Sequence, residues 1–177
     1  DPANGEIASN FTPLTGAYDS ADPALLEYQV LLMKLSGIDG VIVDWYGTAD
    51  FWDYAANHRG AGLLFEFARK AGLKFAVCYE DQTLKHMLDN QHLQPGEDLT
   101  QARADLDFLR QVWFRDPAYL TRDGRPVLLV FGPQHLKDAD QWKDLFAGID
   151  PSPLLVSEDT ILWDAALSSY PWPPMSA

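Results

Sequence analysis

The sequence predicts an α/β fold built on a parallel sheet, and three observations predict it. Four short, nearly continuous apolar runs read as strands buried on both faces. Helical patterns fall between them, and carboxylates stand at the ends of three of the four. The runs cover residues 40–45, 74–80, 126–132 and 153–158, each opened by Gly, Lys or Pro and rich in β-branched or aromatic side chains. Residues 168–172 read as the start of a further strand, weakened by Pro171, Pro173 and Pro174.

The helices follow from their stops and starts. Asp22 before Pro23 supplies an N-cap acid and a proline at the first helical position, and Gly37 ends the apolar run 24–36. Leu25, Leu26, Leu31, Leu32 and Leu35 within that run are expected to be core packing. Residues 62–70 place Leu63, Leu64, Phe67 and Ala68 on one stripe, with Gly72 after them. Residues 99–114 repeat apolar positions at Leu106, Leu109, Val112 and Trp113, with Arg110 and Arg115 towards the end that the helix dipole makes negative. A shorter helix is expected over 140–146, and residues 1–21 and 91–98 read as loops. The order is helix, strand, helix, strand, long helical insert, strand, helix, strand, which right-handed crossovers assemble into an alternating α/β domain.

Two architectures meet this pattern. An open doubly wound sheet is complete at 177 residues. A (β/α)8 barrel takes about 250 residues, roughly 30 per unit, so a barrel of this length is a partial one. Residues 1–177 read as a single domain, with no internal repeat.

Composition removes several classes of function. Twenty-six acidic against 13 basic side chains give a net charge of −13, a surface that repels nucleic acid and anionic membranes. Cys78 is the one cysteine, which excludes an intramolecular disulfide and a cysteine-rich zinc site; a buried structural thiol is expected. His58, His86, His92 and His135 show no metal-ligand spacing, and His58 is expected in a solvated loop. No phosphate loop or dinucleotide fingerprint occurs, and no apolar run approaches the roughly 20 residues that span a bilayer.

The strand-end acids carry the chemistry. Asp44 follows Val41-Ile42-Val43, Glu80-Asp81 follow 75–79, and Glu158-Asp159 follow 154–157. In both architectures the site lies at the carboxyl ends of parallel strands, so these acids converge on one rim with Trp45, Tyr46, Tyr79 and Trp172. Carboxylates accept hydrogen bonds from sugar hydroxyls, and flat rings stack on the C–H face of a sugar. A pair of carboxylates about 5–9.5 Å apart also suits glycosidic cleavage. The competing reading of such acids is as helix caps, and it fits Asp81 and Asp159 best.

One segment is specific beyond this pattern: Gly37-Ile38-Asp39-Gly40-Val41-Ile42-Val43-Asp44-Trp45-Tyr46-Gly47. With 11–20, Phe75-Ala76-Val77-Cys78-Tyr79-Glu80-Asp81-Gln82, Asp116-Pro117-Ala118-Tyr119-Leu120 and Gly124-Arg125-Pro126-Val127-Leu128, it resembles the glycoside hydrolase family 99 and family 71-like group. The resemblance implies a partial (β/α)8 TIM-type barrel lacking terminal strands, hydrolysis of an α-linked polysaccharide or glycan, and no cofactor, beside the absence of a metal site expected from the histidine spacing. It also implies an extracellular or periplasmic setting for glycan degradation. The family's catalytic carboxylates are expected in a motif of the type Asn-Glu-Trp-x-Glu, which does not occur here, so no catalytic residue is carried over. Asp44, Trp45, Tyr46, Glu80 and Asp81 match strand-end positions and are the expected sugar contacts, with Glu158, Asp159 and Trp172 added by position alone. The expected partner is an oligosaccharide or polysaccharide. The leading reading is a glycoside hydrolase fragment holding part of the cleft. The alternatives are a noncatalytic carbohydrate-binding or interaction protein on a degenerate barrel, and a small hydrolase using Glu80 and Glu158 as acid and base.

Overall fold

Asp22 caps the first helix as its position predicts. In the computed structural model, which describes residues 11–158 and 162–171, its carboxylate accepts hydrogen bonds from the backbone N–H groups of Ala24 and Leu25, and α1 runs Pro23–Leu35. Gly37 ends it in the left-handed region (φ 77°), so that the Ile38 N–H reaches back to the Met33 carbonyl and the Gly37 N–H to that of Lys34. Gly72 closes the second helix in the same way.

The elements then alternate: β1 Gly40–Trp45, α2 Tyr54–Lys70, β2 Lys74–Tyr79, α3 Gln82–Asp89, α4 Asp98–Gln111, a 3-10 turn over Trp113–Arg115, β3 Thr121–Arg122, β4 Arg125–Val130, α5 Ala139–Phe146, β5 Leu154–Ser157 and β6 Ser168–Ser169. The sheet order is β1-β2-β4-β5-β6, every neighbour parallel, with β3 folded antiparallel onto β4. Parallel strands joined by crossover helices in sequence order form a partial α/β barrel, as expected.

Three details depart from the sequence expectations. Helix α2 begins at Tyr54, eight residues before Gly62, and takes in His58. Asn57, His58, Gly60 and Gly62 are weak helix formers, and the turn is held by packing against the sheet rather than by propensity. The His58 ring lies between Trp45, Phe108 and Trp113, its Nδ1 accepting a hydrogen bond from Trp45 Nε1 at 3.1 Å. Leu25 and Leu26 are core, but Leu31, Leu32 and Leu35 are not. With Tyr28 they form an exposed stripe at helical spacing, on which Leu35 is 85% exposed.

The sheet has two unlike faces. Phe75, Val77, Tyr79, Leu128, Val130 and Leu155 lie in the main core with Phe65, Leu106, Trp113 and Trp142 from the helical layer. Trp45 belongs to this face and is completely buried. The alternate residues point the other way: Ile42 and Asp44 on β1, Cys78 on β2, Leu129 on β4 and Val156 on β5, the last four level in register. Ile42 on that second face is 57% exposed.

Candidate functional site

The site is built on the second face, at the carboxyl ends of β1, β2 and β5. Asp44 is the last residue of β1 to point that way, and Glu80 follows β2 two positions beyond Cys78, so it returns to the same face. Their carboxyl groups lie within hydrogen-bonding reach of each other. Glu80 is pushed up to about 8, first by burial, then by the charge of Asp44 and the hydrogen bond to it, with smaller contributions from Asp81 and Glu158. Asp44 is also raised, by burial, against the opposing effect of its hydrogen bond with Glu80. One proton held on the pair relieves the repulsion between two half-buried carboxylates. Asp44 Oδ1 is buried and receives no hydrogen bond.

An aromatic wall stands beside the pair. Tyr46 continues from β1 and feels the charges of Asp44, Glu80 and Asp53, which with burial raise its phenol. Its ring packs on Tyr54, 5.3 Å between centroids, and the Tyr54 hydroxyl is 3.0 Å from His86 Nδ1. Trp52 stacks on Phe51 at 4.5 Å and meets Tyr54 and His86 edge-on or tilted. It is 61% exposed, and its backbone is left-handed (φ 49°), an uncommon conformation for a bulky residue. The opposite side is bounded by Glu158, whose charge reaches Glu80, and by Tyr170, whose hydroxyl lies 3.4 Å from Cys78 Sγ and donates to the Val130 carbonyl at 3.0 Å. Cys78 is buried as expected, and burial pushes its thiol up to about 12, so it is not a nucleophile.

The expected contacts therefore separate. Asp44, Tyr46, Glu80 and Glu158 share the open face. Trp45 and Tyr79 lie behind the sheet in the core: the alternation of side chains that turns Asp44 to one face turns Trp45 to the other. Asp81 is also withdrawn from the rim. It is completely buried and stands at the N-cap position of α3, yet makes no cap bond. Its carboxylate instead accepts the backbone N–H groups of Gln134, His135 and Leu136 at 2.8, 2.9 and 2.6 Å, leaving no surface for a sugar. Asp159 and Trp172 lie outside the described residues. Trp52 and Tyr54 were not singled out in the sequence, and His86 was weighed there only as a metal ligand. The aromatic-acidic run Asp50-Phe51-Trp52-Asp53, directly after a strand that ends in an acid, was the available signal.

Among the described residues, no group of three or more His, Cys, Asp or Glu is arranged to hold a metal ion, and no helix is long and apolar enough to cross a membrane. No family model matches the chain, and no curated protein matches it in sequence. Solved structures do match. The GH99 endo-alpha-mannosidase from Bacteroides thetaiotaomicron superimposes with a TM-score of 0.67 at 21% identity, over 96% of this chain and 49% of that one. The same enzyme in complex with BIS-TRIS-propane gives 0.66 at 20%, over 94% and 51%. A glycoside hydrolase-like protein gives 0.60 at 12%, over 85% and 48%. The chain spans about half the length of these structures, and over that length it has their glycoside hydrolase-like fold.

Proposed function

We propose that this rim is part of the sugar cleft of a glycoside hydrolase-type barrel acting on an α-linked glycan, with an α-mannoside as the first candidate. The observation that carries the reading is the Asp44–Glu80 pair, half-buried on the open face with Tyr46 next to it, and the exposed Trp52 further along the same row of rings, across Tyr54. Asp44 and Glu80 accept sugar hydroxyls, Tyr46 and Trp52 offer ring faces, and Glu158 closes the far side. The likeness to an endo-alpha-mannosidase supports the choice of sugar.

The same pair favours a binding role for these residues over a catalytic one. An acid and its partner in glycoside hydrolysis stand about 5–9.5 Å apart to admit a sugar carbon or a water between them. Asp44 and Glu80 lie within hydrogen-bonding reach of each other, closer than that spacing, and a shared proton suits them better as one binding unit. Glu158 is the third carboxylate on this face. Titration of the chain with α-mannan and α-glucan oligomers in a calorimeter, alongside an assay for released reducing ends, tests the reading. Heat of binding lost in Glu80→Gln supports it. A cooperatively folded chain that binds none of these oligomers refutes it, and turnover lost in both Glu80→Gln and Glu158→Gln would assign those two as acid and base.

A further inference from the structure

The loop between β1 and α2 carries Tyr46 at one end and Trp52 near the other, so its position sets the aromatic wall. Ring packing holds its Trp52 end against Tyr54 and His86, and one buried carboxylate ties its middle to α4. Asp105, on α4 and 1% exposed, accepts hydrogen bonds at Oδ1 from the Thr48 backbone N–H (2.8 Å), the Thr48 hydroxyl (2.7 Å) and Gln101 Nε2 (3.0 Å). Its Oδ2 accepts from the Tyr79 hydroxyl at 2.8 Å. No cation pairs with it in these contacts; four neutral donors satisfy the carboxylate. Gly47 passes over it so closely that a β-carbon there would lie 2.6 Å from Oδ2, and the glycine is left-handed (φ 91°). A buried carboxylate is a costly way to fill space in a core that an apolar side chain would fill. What it supplies, and an apolar group does not, is a fixed direction for Thr48.

We infer that Asp105 is a positioning residue: through Thr48 it holds the β1–α2 loop, and with it Tyr46 and Trp52, in the orientation that ligand binding at the Asp44–Glu80 pair uses. The Tyr79 bond ties the same carboxylate to β2, whose next residue is Glu80, so one side chain fixes the loop relative to the strand that bears the acid. The inference rests on the proposed sugar-binding role only for the final clause; the pinning itself is a statement about the loop.

Amide hydrogen exchange and binding of α-linked mannotriose, measured on the chain and on Asp105→Ala and Asp105→Asn, test it. Asparagine keeps an acceptor for Thr48 and turns its amide towards the Tyr79 oxygen. The expected result is that alanine speeds exchange at the Thr48 amide about a hundredfold, while the sheet amides of Val77 and Leu128 change less than about tenfold and asparagine restores protection. Mannotriose affinity falls about tenfold in Asp105→Ala and returns in Asp105→Asn. Unchanged Thr48 exchange in the alanine variant, or equal acceleration throughout the sheet, overturns the inference. Should Asp105→Ala fail to fold, Thr48→Val removes one donor: about tenfold faster exchange at Thr48 supports the pinning, and none overturns it. Absence of mannotriose binding by the unaltered chain refutes the sugar reading, and the exchange data still decide the pinning.

Discussion

Asp44 at the end of β1 and Glu80 directly after the neighbouring parallel strand β2 bring their carboxyl groups within hydrogen-bonding reach, and the register explains why. Asp44 pairs with Cys78, two residues before Glu80, so the two acids lie on one face and one diagonal step apart.

The pair makes stability depend on pH in a particular direction. Glu80 titrates near 4.5 in an unfolded chain and near 8 in the fold. Between these values the folded state holds the extra proton, so this contribution is fully present below about pH 4.5 and is lost as pH rises through about 8. The raised Asp44 acts in the same sense. Denaturant midpoints are expected to fall from pH 5 to pH 8. Glu80→Gln, which keeps a donor towards Asp44 without a titrating proton, is expected to flatten that slope. Parallel profiles for the two proteins would show that the acids are not coupled.

Trp52 offers its face to solvent while Phe51, Tyr54 and His86 hold its edge and back. Trp52→Ala is expected to weaken oligosaccharide binding by about 0.5–1.5 kcal/mol, the scale of a good ring contact, with little change in melting temperature. A loss of stability with affinity intact would instead make Trp52 a packing residue.

Asp81 is the mirror case, an acid whose work is structural. Asp81→Ala strands three N–H groups of the loop after β4, at about 1–3 kcal/mol each. Its expected signature is a large drop in unfolding free energy, on the order of 3 kcal/mol or more. A variant as stable as the parent would contradict the hydrogen-bond pattern.

The stripe Tyr28, Leu31, Leu32 and Leu35 leaves one side of α1 apolar and open. Replacing Leu31 and Leu35 together by lysine is expected to reduce dye binding to exposed apolar surface and concentration-dependent light scattering, without lowering the melting temperature. A cooperative loss of stability on this double substitution would place the two leucines in a core.

Much of the fold was legible because it rests on local signals. Asp22-Pro23 and Gly37 bracket α1, and apolar runs closed by acids mark β1, β2 and β5. Asp44 and Glu80 were legible for the same reason, since strand ends of parallel sheets are where a site must lie. What a linear pattern does not show is partnership. Asp81 and Asp105 look like any acid in sequence, and their burial depends on backbone groups 53 and 57 residues away. Leu31 and Leu35 have the spacing of core residues, but burial needs a facing element. Trp45 failed as a rim residue because side chains alternate along a strand, so neighbours of an outward acid point inward.

The most direct test is calorimetric titration of the 177-residue chain with α-linked mannotriose, before and after Glu80→Gln, at a pH where both proteins melt cooperatively. Binding by the chain, weakened at least about tenfold (about 1.4 kcal/mol) in the variant, is the predicted result. Binding of equal strength in both proteins would contradict the assignment of this rim as the sugar site.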